Sequence, residues 1–344
     1  MRADMATSAQ KEGPRDMYRR LGYGKLTSGE SLELAAVDAP DPDWTGRLRL
    51  FLRHKGDPYA GHIERALDQP LDDLRTHFYV GCVDGEPITH VMVAGARGFG
   101  VLGHVYTVPE WRRRGAFGQL MATQMEDVRA LGFTRLTLST GYGSMPYEVY
   151  SSFGFRSAVP ESGQMCWFAE PGSEPAAAPA PAGDTSIRRA RWDDWGALCF
   201  VLAHAPHAGE PAPRSSALGI DECGSAEGSF LRLLGQLDLA GAQSYVAESS
   251  AGGVVGWCHL VPSPLTLGGA WLLDLHVLPG FEGLLGDLLG RVDWPQRPVV
   301  FPTSADADVY ESAMTAVGFT KSAVLPAGDH GGSTRRLTLW WRTG

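Results

Sequence analysis

The run VYTVPEWRRRGAFGQLM, from Val105 to Met121, places three arginines and a glycine between an apolar stretch and an amphipathic one. A strand ending at Val108, a tight loop through Gly115 and a helix beginning near Ala116 make a phosphate-binding arrangement. The first N–H groups of a helix lack intrahelical partners and converge on one point, where the helix dipole adds positive charge. Gly115 lets an oxyanion reach the backbone where a Cβ would intrude. Arg112, Arg113 and Arg114 crowd the end of the helix at which cations are disfavoured unless an anion arrives. An arginine run by itself reads as a solvated face. Flanked by the strand, Pro109, Gly115 and the helix, it points to an anionic ligand.

A second stretch, MPYEVYSSFGF, sets Tyr150 four residues ahead of Gly154-Phe155. Taken alone, Tyr150 is equally an amphipathic core tyrosine. Together the two stretches resemble the GNAT acyltransferase superfamily. Its acyl-CoA loop has the core Arg/Gln-x-x-Gly-x-Gly/Ala, matched by Arg112 and Gly115, with Phe117 where Gly or Ala is usual and Gly118 next to it. Its Tyr-x-x-x-Gly-Phe helix end is matched at Tyr150, although Gly143 and Pro146 stand where asparagine and alanine are common. The resemblance runs in order and spacing from about Ser31 to Phe168. It implies that the amides around Arg113, Arg114, Gly115, Ala116, Phe117 and Gly118 hold the CoA pyrophosphate. It also implies that the strand edge at Tyr106, Thr107 and Val108 pairs with pantetheine, and that Tyr150 protonates the departing thiolate. A phenol suits that role, because its ordinary pKa of about 10 keeps its proton in place at neutral pH.

Acyl transfer to an amine also requires a proton to leave the attacking nitrogen. In this superfamily the base has no fixed position but often lies on the fourth strand. Alternation places Leu102, His104, Tyr106 and Val108 on one face of that strand. His104, with an ordinary pKa near 6.5, is the candidate base, the alternative being a histidine hydrogen-bonded within the sheet. Ser139, Thr140, Tyr142 and Tyr147 lie where the fifth strand should splay away and are candidates to line the acceptor cleft; taken singly, each is better read as ordinary packing or turn chemistry. The histidines are dispersed without ligand spacing, so no metal site is expected.

The elements that must position these groups follow from periodicity. SLELAAV alternates as a strand, and DPDWTGRLRLFLRH opens with an Asp-Pro helix start. A further helical pattern runs from about Ala60 to Leu74. THFYVGCVDGEPITHVMVAG is a hairpin turning at Asp84-Gly85, and GVLGHVYTV, RLTLST and MCWFA are strands. A helix from Ala116 closes near Gly132. The same order then recurs: SIRRARWDDWGALCFVLAH, the hairpin SYVAESSAGGVVGWCHLV turning at Gly252-Gly253, WLLDLHVLPGFEGLLGDLLGRV, VYESAMTAVGF and RRLTLWWR. Between the two series lies EPGSEPAAAPAPAGD, a Pro/Ala-rich linker. The expected architecture is α/β (α+β), with two tandem GNAT-like domains, each a mixed, mostly antiparallel twisted sheet flanked by helices. Residues 17–170 form the catalytic domain, 171–184 the linker and 185–344 a degenerate copy. In that copy Glu282 aligns with Arg112 through Pro279, or, with Gly286 set against Gly118, the loop is two residues shorter; Met314 takes the place of Tyr150.

Composition narrows the partners. The chain has 344 residues, 44% hydrophobic and 20% charged, with net charge -9, enough apolar content for two cores. An acidic balance argues against sequence-independent binding to nucleic acid or anionic membrane. The five scattered cysteines lack a CxxC, and neither an apolar leader nor a membrane-length run occurs, so a cytoplasmic location is expected. The resemblance implies acetyl-CoA, or another acyl-CoA, as cosubstrate without a metal, and a small-molecule amine as acceptor by direct attack in a ternary complex. A carrier-protein thiol, a hydroxyl acceptor and a non-catalytic CoA-binding scaffold are the alternatives, and a homodimer is compatible with the sequence.

Overall fold

A computed structural model describes residues 17–158, 160–170, 184–204, 225–250, 253–263, 269–304, 308–330 and 333–344. The first series of elements is β1 Tyr18–Lys25, β2 Ser31–Ala39, α1 Pro42–Leu52, α2 Tyr59–Asp68, β3 Arg75–Val83, β4 Glu86–Ala96 and β5 Phe99–Thr107. It continues with α3 Ala116–Ala130, β6 Arg135–Ser139, α4 Met145–Ser152, β7 Arg156–Ser157 and β8 Gln164–Phe168. The second series is β9 Thr185–Arg189, α5 Trp195–His204, α6 Ala226–Gly235, β10 Gln243–Ser249, β11 Val254–Pro262 and β12 Trp271–Val277. It ends with α7 Leu285–Leu289, β13 Val299–Ser304, α8 Glu311–Ala316, β14 Thr320–His330 and β15 Ser333–Arg342.

Two separate mixed sheets result. The first has the order β1-β2-β3-β4-β5-β6-β8-β7, the second β14-β15-β13-β12-β11-β10-β9. Read from β9, the second order repeats the first from β2 onward, so the repeat legible in the sequence is a repeat of topology. One pair in each sheet is parallel, β5 with β6 and β12 with β13. The strand β1 and the long β14 were not expected from periodicity. The expected linker is outside the described residues except for Asp184, and so is Gly252 of the second hairpin turn.

Local chemistry sets the element ends. Asp41 caps α1, its Oδ1 accepting from the amides of Asp43 (2.8 Å) and Trp44 (3.1 Å), with Pro42 in the first turn. The β3–β4 hairpin turns through Asp84 and Gly85, both at positive φ, as the Asp-Gly pair predicts. The helical pattern expected to reach Leu74 stops at Asp68.

Two apolar clusters fill the first sheet's faces. Leu120, Met121, Met125 and Val128 of α3 cover one face, together with Tyr150 and Phe155. The other face packs on α1 and α2 and continues without interruption into the second unit through Trp195, Leu198 and Val201 of α5. This explains why WGALCFVLAH is apolar on every side: Phe200 meets Phe99 and Phe168 of the first sheet, while Leu198 lies beside Phe230 and Trp257 of the second unit. The approach is close. A Cβ on Gly196 would stand 2.7 Å from the Phe99 carbonyl oxygen. Around this contact Arg97 binds Asp193 and Asp194 (both 2.8 Å) and Glu248 (2.9 Å), so these two buried aspartates are matched to arginine. Among the described residues no helix is long and apolar enough to cross a membrane.

Candidate functional site

The site begins where β5 and β6 part. Their parallel pairing covers only Phe99–Val101 against Arg135–Thr137; beyond it β6 stays with β8 while β5 continues along β4. Two openings meet at that divergence. One is a groove of about 750 Å³ along Val105–Thr107, the Trp111–Gly118 loop and α4. The other is a cavity of about 190 Å³ between the two units, lined by His104, Ser139, Tyr150, Lys55, Trp195 and Glu227 among others. Val105 and Tyr150 border both.

The groove has the features expected of an anion site. Gly115, at φ +83°, turns the chain into α3, and Arg113 before it also has positive φ. A Cβ on Gly118 would meet nothing within 4 Å, so the chain itself does not demand glycine there and the space belongs to the groove. The three arginines separate in role. Arg112 Nε donates to the Thr107 carbonyl (2.9 Å) and fastens the loop to the strand end. Arg114 leaves the groove: it reaches Ser28 and Glu30 (both 3.3 Å) and lies over the Trp111 ring. Arg113 is exposed, lines the groove and has no protein partner among the described residues.

Phe117 has a structural reason. Its ring meets Tyr150 edge-on at 6.4 Å and 87°, and Phe155 flanks the same tyrosine at 6.1 Å. Tyr150 is therefore clamped between two aromatic rings in the last turn of α4. Ser144 caps that helix, and Gly154 at φ +94° closes it, with the Phe155 amide returning to the Tyr150 carbonyl (3.2 Å). Burial pushes the Tyr150 phenol up to about 12, with the nearby Glu227 charge adding to the shift. The group thus holds its proton across the neutral range.

His104 lies in the cavity, but not by simple alternation. A bulge in β5 opposite His90–Met92, with His104 at φ +55°, reverses the facing of the strand. Leu102 faces α3, whereas His104 faces α2, its Nε2 3.5 Å from His62 Nδ1 and its ring 5.2 Å from that of Tyr59. Tyr106 likewise packs on Phe51 and His54 of the α1 side, so the expected common face of Leu102, His104 and Tyr106 does not exist. Burial holds the His104 imidazole well below its usual pKa, hence neutral at pH 7.

Of the residues expected on the acceptor side, only Ser139 reaches the cavity. Thr140 borders the groove instead. Tyr142 is 54% exposed against Tyr147, whose hydroxyl bonds Ser157 (2.8 Å). Three cavity residues carried no signal of their own. Lys55 donates its Nζ to the Val105 carbonyl (3.2 Å), and burial lowers its pKa. Trp195 donates Nε1 to the Glu227 carbonyl (3.2 Å). Glu227, 6% exposed, accepts the Ser139 amide on Oε1 (2.7 Å) and the Ser139 hydroxyl on Oε2. In sequence Glu227 reads as an ordinary acid in the first turn of a Ser-capped helix.

The acetyltransferase (GNAT) family model matches residues 44–155. A search of the curated proteins finds no match. Similar solved structures include a ribosomal-protein-alanine N-acetyltransferase from Brucella melitensis, 17% identical over 46% of this chain and 99% of that chain, with TM-score 0.34. A spermidine N-acetyltransferase from Vibrio cholerae, in complex with CoA and spermine, is 10% identical over 46% and 94%, with TM-score 0.33. A structure from Salmonella typhimurium with acetyl-CoA is 18% identical over 46% and 93%, with TM-score 0.36.

Proposed function

We propose, from the premise that residues 44–155 form a domain of the acetyltransferase (GNAT) family, that this protein transfers an acetyl group from acetyl-CoA to the primary amine of a small molecule. The observation that carries this reading is that Tyr150 borders both openings, the groove and the interdomain cavity. The groove fits acetyl-CoA in size, in the free amides at the start of α3, in the space left at Gly118 and in the unpaired Arg113. The thioester then lies at the junction with the acceptor in the cavity. The amine nitrogen attacks the thioester carbonyl, the C–S bond breaks and the thiolate takes the Tyr150 proton. The nitrogen's departing proton restores the phenol. The buried, aromatic-walled junction keeps water from competing for the thioester. His104, neutral and facing the cavity, is placed to hydrogen-bond the amine nitrogen there. Residues 185–344 serve as a degenerate copy that walls the cavity, and the protein is cytoplasmic in this reading.

Thiol release from acetyl-CoA tests the function directly, with a panel of small amines, thiols and alcohols as acceptors. Amine-dependent release with saturable acetyl-CoA binding is expected. Release with alcohols or carrier thiols only, or binding without release, overturns the amine reading.

A further inference from the structure

We propose that Glu227, a residue of the second unit, completes the site of the first: its carboxylate receives the ammonium group of the acceptor and removes the proton that precedes attack. This rests on the acetyl-transfer reading above and assigns to the second copy a chemical part in it.

Position carries the argument first. Glu227 lines the same small cavity as His104 and Tyr150, one step from the groove. Three links fix it there. The Ser139 amide and hydroxyl hold the two carboxylate oxygens, and Trp195 Nε1 holds its carbonyl. Ser225, which caps α6, also bonds the Tyr59 hydroxyl of α2 at 2.7 Å. Each carboxylate oxygen still has a lone pair for a ligand after accepting from Ser139.

Charge carries it second. Asp193 and Asp194, equally buried at this interface, are neutralised by Arg97, Arg188 and Arg191. Among the described residues no arginine or lysine pairs with Glu227; Lys55, in the same cavity, gives its Nζ to the Val105 carbonyl. A buried carboxylate without a counter-ion is costly, and here the open side of the carboxylate is the acceptor cavity. A primary ammonium supplies the missing charge, and the Tyr59 and Trp195 rings in the lining suit a cation. A cavity of about 190 Å³ admits the end of a short aliphatic amine rather than a bulky one.

The proton balance closes. The ammonium gives one proton to the carboxylate, the free amine forms the C–N bond as the C–S bond breaks, and Tyr150 supplies the thiol proton and regains one from the new amide nitrogen. The Glu227 proton passes to water after product release. The titratable groups facing Glu227 are His104 on β5, Lys55 beyond α1, Tyr59 on α2, Tyr150 on α4, Cys166 on β8 and Cys199 on α5. Burial raises the Glu227 pKa above the usual carboxylate range, and hydrogen bonds from Ser139, its own amide and Ser225 oppose the rise.

Full-length protein, acetyl-CoA and propylamine, with propanol as the uncharged control, provide the test. Glu227→Gln is expected to lower kcat/KM for propylamine at least 100-fold and to abolish the acidic limb of its pH profile, while the Kd for acetyl-CoA moves less than twofold. Ser139→Ala, which removes one donor to the carboxylate but keeps the acid, should retain an acidic limb and shift it to higher pH; it decides the matter if Glu227→Gln does not fold. An unshifted limb in Ser139→Ala, or undiminished turnover in Glu227→Gln, overturns the proposal, as does a limb removed by His104→Asn instead. Wild-type protein that binds acetyl-CoA but releases thiol with no amine overturns the transfer reading itself, and this proposal with it.

Discussion

The two loop–helix regions that follow β5 and β12 occupy the same place in the same topology and have opposite chemistry. In the first, Gly115 at φ +83° opens into α3, fifteen residues long, and Arg113 faces the groove with no partner among the described residues. In the second, α7 is five residues long and is entered through Leu284 at φ −81°. The loop amide of Gly280 there donates to the carboxylate of Glu282 at 2.9 Å. One copy leaves its amides and a cation open to an incoming anion. The other satisfies its loop with an acid of its own, and its shorter helix aligns fewer peptide dipoles. Downstream the contrast repeats. Tyr150 borders two openings, whereas Met314 is fully buried and has no proton to give. Fold and site are therefore separable within one chain.

The comparison breaks most easily at the groove. Arg113→Glu combined with Gly115→Glu places two carboxylates against the pyrophosphate and should weaken acetyl-CoA binding by at least about 100-fold, read by calorimetry. The stoichiometry of the unaltered protein should be one per chain. Retained affinity in the double variant, or two equivalents bound, removes the distinction between the copies.

Turnover comes next. Tyr150→Phe keeps the ring between Phe117 and Phe155 but removes the proton, so kcat should fall about 100-fold with acetyl-CoA affinity nearly unchanged. Adding Met314→Tyr to that variant should restore nothing, because the second loop has no anion site beside it. Equal turnover in Tyr150→Phe withdraws the proton-donor role.

Acid sensitivity gives the smallest effect and is weighted toward the first unit. His62 and His90 there are buried among apolar groups, which pushes each imidazole down to about 3; His259 in the second unit is pushed to about 4. The unfolded chain takes up these protons below about pH 6.5, and the folded chain does so only near those lower values. Stability is complete above pH 6.5 and is lost as pH falls through that window, by about 2 kcal/mol per histidine at pH 5. The slope of Tm against pH between 7 and 5 should flatten in His62→Leu combined with His90→Leu. The same slope in that variant would place the sensitivity elsewhere.

Much of the groove was legible because it is local. Arg112, Gly115 and Gly118 lie within seven residues, and a strand–loop–helix junction needs no distant partner to take shape. The helix end at Tyr150 was legible for the same reason, since Gly154 and Phe155 close it from within the segment. Phe117 was accounted for only once its ring was seen against Tyr150. Arg114 reads like its neighbours, yet it departs to Glu30, a residue far away in the chain. His104 was found for a reason that failed: a bulge, invisible to alternation, turned it toward the cavity. The cavity was nearly silent, because its walls come from α2, β4, β5, β6, α4 and two helices of the other copy.

The sequence by itself determined the repeat, most of the element order, and an arginine-glycine loop that one copy has and the other lacks. These are properties of hydrophobic period, turn residues and charge within short windows. The apolar circumference of α5 also lies in the sequence. Only the tertiary structure decided what covers it and what that packing delivers. Desolvation and charge pairing depend on neighbours brought together by the fold, so Asp194 and Glu227 look alike in sequence. One meets Arg97 and Arg188, and the other meets Ser139 and the open side of a cavity.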